Sequence, residues 1–133
     1  MRLLSRILGQ RLEATAHCDL PCGVYDPAQA RIEAESVKAI QQKYQDNEDP
    51  EFRSRAILIK EQRADLVKHH LWVLWTDYFK PPHFEKYPEL HQLVNDTLKA
   101  LSAAKGSNDP KTGEKALELI AEIDRIFWET KKA

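Results

Sequence analysis

Asp26-Pro27-Ala28-Gln29-Ala30-Arg31-Ile32-Glu33-Ala34-Glu35-Ser36-Val37 opens the part of the chain from which the fold can be read. Asp26 can cap a helix, and Pro27 suits the first helical position, where its missing N–H would have no intrahelical partner. Ala30, Glu33, Val37, Ile40 and Tyr44 recur at three- and four-residue steps until Asp46-Asn47-Glu48-Asp49-Pro50 breaks the pattern. The spacing predicts a helix over about 27–45. A second pattern, over about 50–79, runs through Phe52, Ala56, Ile59, Arg63, Leu66, His70 and Val73 and stops at Lys80-Pro81-Pro82. A third begins near Tyr87-Pro88, carries Leu90, Val94, Leu98 and Leu101, and has Gly106 as its C-terminal cap. The fourth follows Asp109-Pro110, with Ala116, Ile120, Ile123 and Phe127 on one face. Four amphipathic helices joined by short loops predict an all-α, antiparallel four-helix bundle. No strand alternation, internal repeat or low-complexity tract competes with it.

Bulk composition narrows the function classes. The chain has 133 residues, enough for one domain with a real core, and its 42% hydrophobic and 31% charged residues describe an ordinary soluble composition. Twenty basic against 21 acidic residues leave a net charge of -1, so neither a nucleic-acid footprint nor a polybasic membrane patch is expected. No apolar run approaches the roughly 20 residues that span a bilayer.

On the N-terminal side of this bundle stands His17-Cys18-Asp19-Leu20-Pro21-Cys22-Gly23-Val24-Tyr25-Asp26, which holds both cysteines and one of the five histidines. It follows Ala14-Thr15-Ala16, the kind of ending a peptidase cuts. The basic start and Ala-x-Ala ending of residues 1–16 mimic an export signal, but Ser5-Arg6 splits Leu3-Leu4 from Ile7-Leu8 and Gln10-Arg11 ends the run. A continuous apolar stretch of about 7 or more residues is therefore missing, which favours a propeptide removed inside the cell and a cytoplasmic protein. Cutting after Ala16 makes His17 the amino terminus. One short peptide then offers an amine, an imidazole, an ionisable backbone amide and two thiolates.

Pro21, between Cys18 and Cys22, favours a turn that lets both sulfurs face one centre. Soft thiolates combined with deprotonated nitrogen donors suit a square-planar ion such as nickel(II). Structural zinc asks for four protein ligands, usually from two separated pairs, and an iron–sulfur cluster usually asks for four cysteines. On residue types alone a Cys18–Cys22 disulfide stays open, whereas a dithiol redox site more typically reads C-x-x-C.

Other residues carry two readings each. Glu33 and Arg63 interrupt apolar stripes, so they either pair with each other or a polar neighbour, or lie at a stripe's edge with their charges in water. The Tyr25 ring can fold over a bound metal or pack in the core. His69, His70, His83 and His91 match neither H-E-x-x-H nor the Glu-x-x-His pairs of di-iron bundles, and are read as surface or hydrogen-bonded histidines. Trp72, Trp75 and Trp128 are read as packing or subunit-interface residues. Asn95-Asp96-Thr97 is a glycosylation sequon placed mid-helix, and is set aside.

The segment from His17 to Asp26 resembles the metal hook of the nickel-containing superoxide dismutases. The resemblance continues through Asp26-Pro27, the segment Asp77-Tyr78-Phe79-Lys80-Pro81-Pro82-His83-Phe84 and the helical tail, and so covers residues 17–133; the leader matches less closely. It implies a hook over 17–25 on a bundle over 26–133, and one nickel per subunit. The ligands it implies are the His17 amine, the Cys18 backbone nitrogen and sulfur, the Cys22 sulfur and, in the oxidised state, the His17 imidazole. His17, Cys18, Cys22 and Tyr25 become the catalytic set, with Tyr25 gating small anions and Tyr78 a second tyrosine beside it. Glu33 and Arg63 would orient the histidine, Asp19 and Pro21 would shape the hook, and the resemblance raises a cis bond at Pro21. Lys80 either draws in superoxide or is simply solvated. A homohexamer and a protease cutting between Ala16 and His17 complete the expectation. The alternative from another class is a nickel or copper carrier, which needs a releasable site without a gate, so Tyr25, Glu33 and Arg63 favour the enzyme.

Overall fold

A computed structural model describes residues 23–132 of the chain. Helix α1 (Ala28–Gln45) starts where the Asp26 carboxylate accepts the Ala28 N–H at 2.9 Å, and Pro27 stands just outside it. Asp49 caps α2 (Pro50–Val73) by accepting the Phe52 N–H at 3.1 Å, with Pro50 at the first position. The chain does not run as one α-helix to residue 79. It widens into a π-helical turn, Leu74–Tyr78, in which the Phe79 N–H reaches back to the Leu74 carbonyl at 2.9 Å.

Pro81 and Pro82 end the pattern only to begin another element, the short helix α3 (Pro81–Lys86), where two missing N–H groups leave no bond unmade. Helix α4 (Leu90–Lys105) closes at Gly106, whose φ of -82° is ordinary backbone rather than the left-handed cap. Helix α5 (Pro110–Lys132) completes the described chain.

Helix α1 packs on α2 and α5, and α4 packs on the same two, so the four long helices close a ring. Cross-contacts fix the directions. Lys105 bonds Asp65 and Lys68 bonds Ser102, so α2 and α4 run antiparallel. The pairs Lys38–Glu114 and Gln41–Thr112 make α1 and α5 antiparallel. Inside lie Ala30, Ala34, Val67, Leu71, Leu74, Leu90, Val94, Leu101, Ile120, Ile123, Ile126 and Phe127, each large apolar side chain contributing about 1.5–3 kcal/mol by burial. Gly113 lets α5 approach α1 closely: a Cβ there would stand 2.5 Å from Gln41 Oε1 and 3.0 Å from Lys38 Cα.

The register of α2 departs from the sequence expectation. Lys60, Ala64, Val67 and Leu71 face inward along with Ala56 and Val73, whereas Phe52, Ile59, Arg63 and His70 are half-buried and Leu66 is exposed. Apolar residues surround this helix, Ile57, Leu58, Leu66 and Trp72 among them, so its periodicity points to no single face. On α1, Ala34 and Gln41 are buried while Glu33 stands at the edge. Lys60, only 2% exposed, donates to the Ser107 carbonyl at 2.6 Å and to Asn108 Oδ1 at 2.8 Å, and its burial pushes the ammonium below the usual lysine range. Gln41 donates to Thr112 Oγ1 at 2.8 Å and the Ser107 carbonyl at 3.0 Å, so the two side chains pin the α4–α5 loop across the bundle end.

Candidate metal centre

His17, Cys18, Asp19, Pro21 and Cys22 lie outside the described residues, and so does the peptide bond at Pro21. The description begins immediately after the second cysteine. Gly23 has φ +71°, a left-handed conformation that a residue with a Cβ adopts only with strain. Val24 follows, 69% exposed, and the chain then delivers Tyr25 to the bundle two residues ahead of Pro27.

Tyr25 meets Tyr78, their ring centroids 5.4 Å apart at an interplanar angle of 54°. These tyrosines are distant in sequence and come together because the start of α1 lies beside the end of α2. Tyr78 ends the π-helical turn and is enclosed by aromatic neighbours: Phe127 at 4.5 Å, Phe79 at 5.1 Å and His83 at 5.7 Å, the last nearly parallel to it. His83 is held in turn by α3, since its Nδ1 accepts the Lys80 N–H at 3.0 Å. Lys131 Nζ stands 5.0 Å from the Tyr78 ring centroid.

Glu33 and Arg63 form an ion pair between α1 and α2, with Nη1 3.1 Å from one carboxylate oxygen. Both readings of these charges hold in part, because they pair with each other and do so at the edge of the core. His91 is hydrogen-bonded as well, accepting the Trp75 indole N–H at 3.0 Å and stacking on Phe84 at 3.9 Å. Trp72 and Trp128 are exposed. Thr97 of the sequon is buried within α4, its hydroxyl donating to the Leu93 carbonyl at 2.7 Å.

Phe127, Thr130 and Lys131, which border Tyr78 from α5, drew no attention as site residues in the sequence. Phe127 appeared there as core, and an isolated Thr-Lys near the end of a charged tail carries no local signal. Only the helix crossing brings them to the tyrosine.

Among the described residues, no three His, Cys, Asp or Glu side chains converge to hold a metal. The donors that suit a soft, square-planar ion are those of His17, Cys18 and Cys22, two thiols with nitrogen donors beside them. They fit nickel(II). A helical bundle whose sequence carries such donors, the last of them three residues ahead of Tyr25, fits the class of redox metalloproteins.

Comparison with known proteins specifies the class. The family model described as nickel-containing superoxide dismutase matches residues 12–131. The superoxide dismutase (Ni) of Streptomyces coelicolor is 75% identical over 131 residues, 98% of this chain and 100% of that protein. Its counterpart in Streptomyces seoulensis is 71% identical over the same shares. A native nickel superoxide dismutase structure at 1.30 Å superposes with a TM-score of 0.87 and 79% identity, covering 88% of this chain and 100% of that one. A second, with nickel ligation corresponding to the oxidised state, gives 0.87 and 76% over the same shares. The chain belongs to the nickel-containing superoxide dismutase family.

Proposed function

We propose that the reaction takes place in a hook, residues 17–25, formed once a maturation protease cuts between Ala16 and His17, with residues 26–133 as the supporting bundle. The chain is a nickel-dependent superoxide dismutase, an oxidoreductase that converts two superoxide anions and two protons into oxygen and hydrogen peroxide. Held in the hook, nickel would supply a one-electron couple between its +2 and +3 states.

The His17 amine and imidazole, the Cys18 backbone nitrogen and sulfur, and the Cys22 sulfur would hold the single nickel of each subunit. Anionic thiolate and amide donors favour the higher oxidation state. Cleavage serves ligation directly, because before it the His17 nitrogen is an amide with Ala16 and a poor donor. Asp19 and Pro21 shape the loop between the sulfurs. Glu33, steadied by Arg63, orients the His17 ring, as outer-shell partners of metal-bound histidines do. Tyr25, backed by Tyr78, borders the metal and restricts access to small anions.

The observation that carries this reading is the Tyr25–Tyr78 contact at 5.4 Å, three residues beyond Cys22. It gives a rigid aromatic wall where the hook leaves the bundle. The extent of the structural match also supports cleavage, since 88% of this chain is the share that residues 17–133 make up. Homohexameric assembly is consistent with the exposed Ile57, Leu58, Leu66, Trp72 and Trp128, apolar surface of the kind association covers. A cytoplasmic site of action rests on the interrupted apolar run of residues 1–16; no helix among the described residues is long and apolar enough to cross a membrane.

Two variants test the assignment. Cys22→Ser should lose both nickel and activity, whereas Tyr25→Phe should keep nickel and change inhibition by small anions such as azide. Full nickel content in Cys22→Ser, measured on mature protein, contradicts the ligand set.

A further inference from the structure

We propose that Thr130, in the last turn of α5, is a positioning residue for the reaction: by accepting the Tyr78 phenol proton it fixes that proton's direction and withholds it from any anion beside the tyrosine pair. The proposal rests on the reading that Tyr25 and Tyr78 border the metal.

The Tyr78 hydroxyl lies 2.7 Å from Thr130 Oγ1, a separation at which either oxygen could donate. A second bond removes that freedom. Thr130 Oγ1 stands 2.5 Å from the Phe127 carbonyl, which can only accept, so the single threonine hydroxyl proton is committed there. The phenol therefore donates and the threonine accepts. While this bond stands, Tyr78 offers lone pairs, but no proton, to anything that approaches its oxygen. It cannot donate to a small anion. Its contribution is to present a fixed ring to Tyr25.

The surroundings tie down the turn of α5 that carries the acceptor. Tyr87 donates to Glu129 Oε2 at 2.7 Å and Arg125 Nη1 to Glu129 Oε1 at 2.6 Å, so the residue preceding Thr130 is tied both to the α3–α4 connection and along its own helix. The Tyr78 ring is packed between Phe127 and His83, which leaves rotation of the hydroxyl as its main remaining freedom. Thr130 takes up that freedom. A threonine that merely satisfied its own helix would need the Phe127 carbonyl alone; the phenol at 2.7 Å gives its second function.

The test uses the mature, nickel-loaded enzyme and compares Thr130→Val, Thr130→Ser and Tyr78→Phe. Valine keeps the shape and removes the acceptor, and serine restores it. The first readout is the tyrosine doublet in the Raman spectrum, which distinguishes donating from accepting phenols, with Tyr78→Phe identifying the Tyr78 contribution. The second is superoxide turnover at matched nickel content. Thr130→Val should shift the Tyr78 signal toward the accepting form and lower turnover, by less than the roughly 100-fold that a 1 Å misplacement of a reacting group can cost. Thr130→Ser should restore both, and Thr130→Val should add nothing in a Tyr78→Phe background. An unchanged Raman signal in Thr130→Val overturns the bond, and a shifted signal with unchanged turnover overturns the positioning role. If Tyr78→Phe, which keeps the ring, itself leaves turnover unchanged, the positioning role fails while the aromatic wall of the proposed function stands.

Discussion

Arg63 Nη1 lies 3.1 and 3.3 Å from the two carboxylate oxygens of Glu33, joining α2 to α1 at the edge of the core. With side chains 40% and 20% exposed, the pair is too wet to hold the fold together, and contacts of this kind contribute about 0.2–1 kcal/mol. In the proposed function the pair serves to orient the His17 ring. Glu33→Gln should lower turnover by about 10–100-fold with nickel content largely intact, the usual cost of removing an outer-shell partner. Unchanged turnover at full nickel content would remove the orienting role from Glu33.

The close approach at Gly113 gives a stability prediction. A methyl group there meets Gln41 Oε1 at 2.5 Å and the Lys38 backbone at 3.0 Å, and Gln41 cannot easily retreat because its amide nitrogen is bonded to Ser107 and Thr112. Overpacking of this kind costs about 1–3 kcal/mol, against a helix-propensity gain of about 1 kcal/mol. Gly113→Ala should therefore lower the urea midpoint, and a raised midpoint would show that the α1–α5 crossing relaxes freely.

Lys60 gives a pH dependence. Burial lowers its folded-state pKa, so between that value and the ordinary lysine value the unfolded chain binds more protons than the folded one. Its contribution to stability therefore rises with pH across that window. Lys60→Met should flatten this alkaline rise, and at neutral pH should cost about 1 kcal/mol by stranding Asn108 Oδ1 and leaving the Ser107 carbonyl with its Gln41 bond alone. Urea unfolding at a series of pH values checks it. A difference between wild type and variant that stays constant with pH would contradict the sign.

The leader gives a fourth prediction. With His17 still joined to Ala16, the terminal amine is missing from the donor set. A variant blocked in cleavage, Ala16→Pro, should fold as the same bundle by circular dichroism yet fail to acquire nickel in its active ligation. An uncleaved chain with full turnover would separate the leader from metal binding.

Four helices were legible because Pro27, Pro50 and Pro110 stand at or beside helix starts and acidic turns separate the elements. The proposed hook stands out in the sequence because His17, Cys18 and Cys22 fall within one short stretch. The facing of α2 was not, since Leu58, Leu66 and Trp72 spread apolar residues around it and the inward place went to a lysine, Lys60, whose partners lie 47 and 48 residues away. The π-helical turn and α3 were hidden by the rule that proline ends a helix, which hides equally well that it can start one. Glu33 with Arg63 and Tyr25 with Tyr78 were candidates in the sequence, but the contacts between them depend on helix crossings. Thr130 was invisible for the same reason, being 52 residues from Tyr78.

The most direct test of the account is intact mass and metal analysis of the protein purified from its native cells, with a superoxide assay on the same sample. The account predicts a chain beginning at His17, one nickel per chain, and activity. A full-length chain that is active, or a cleaved chain that carries nickel without activity, would contradict it.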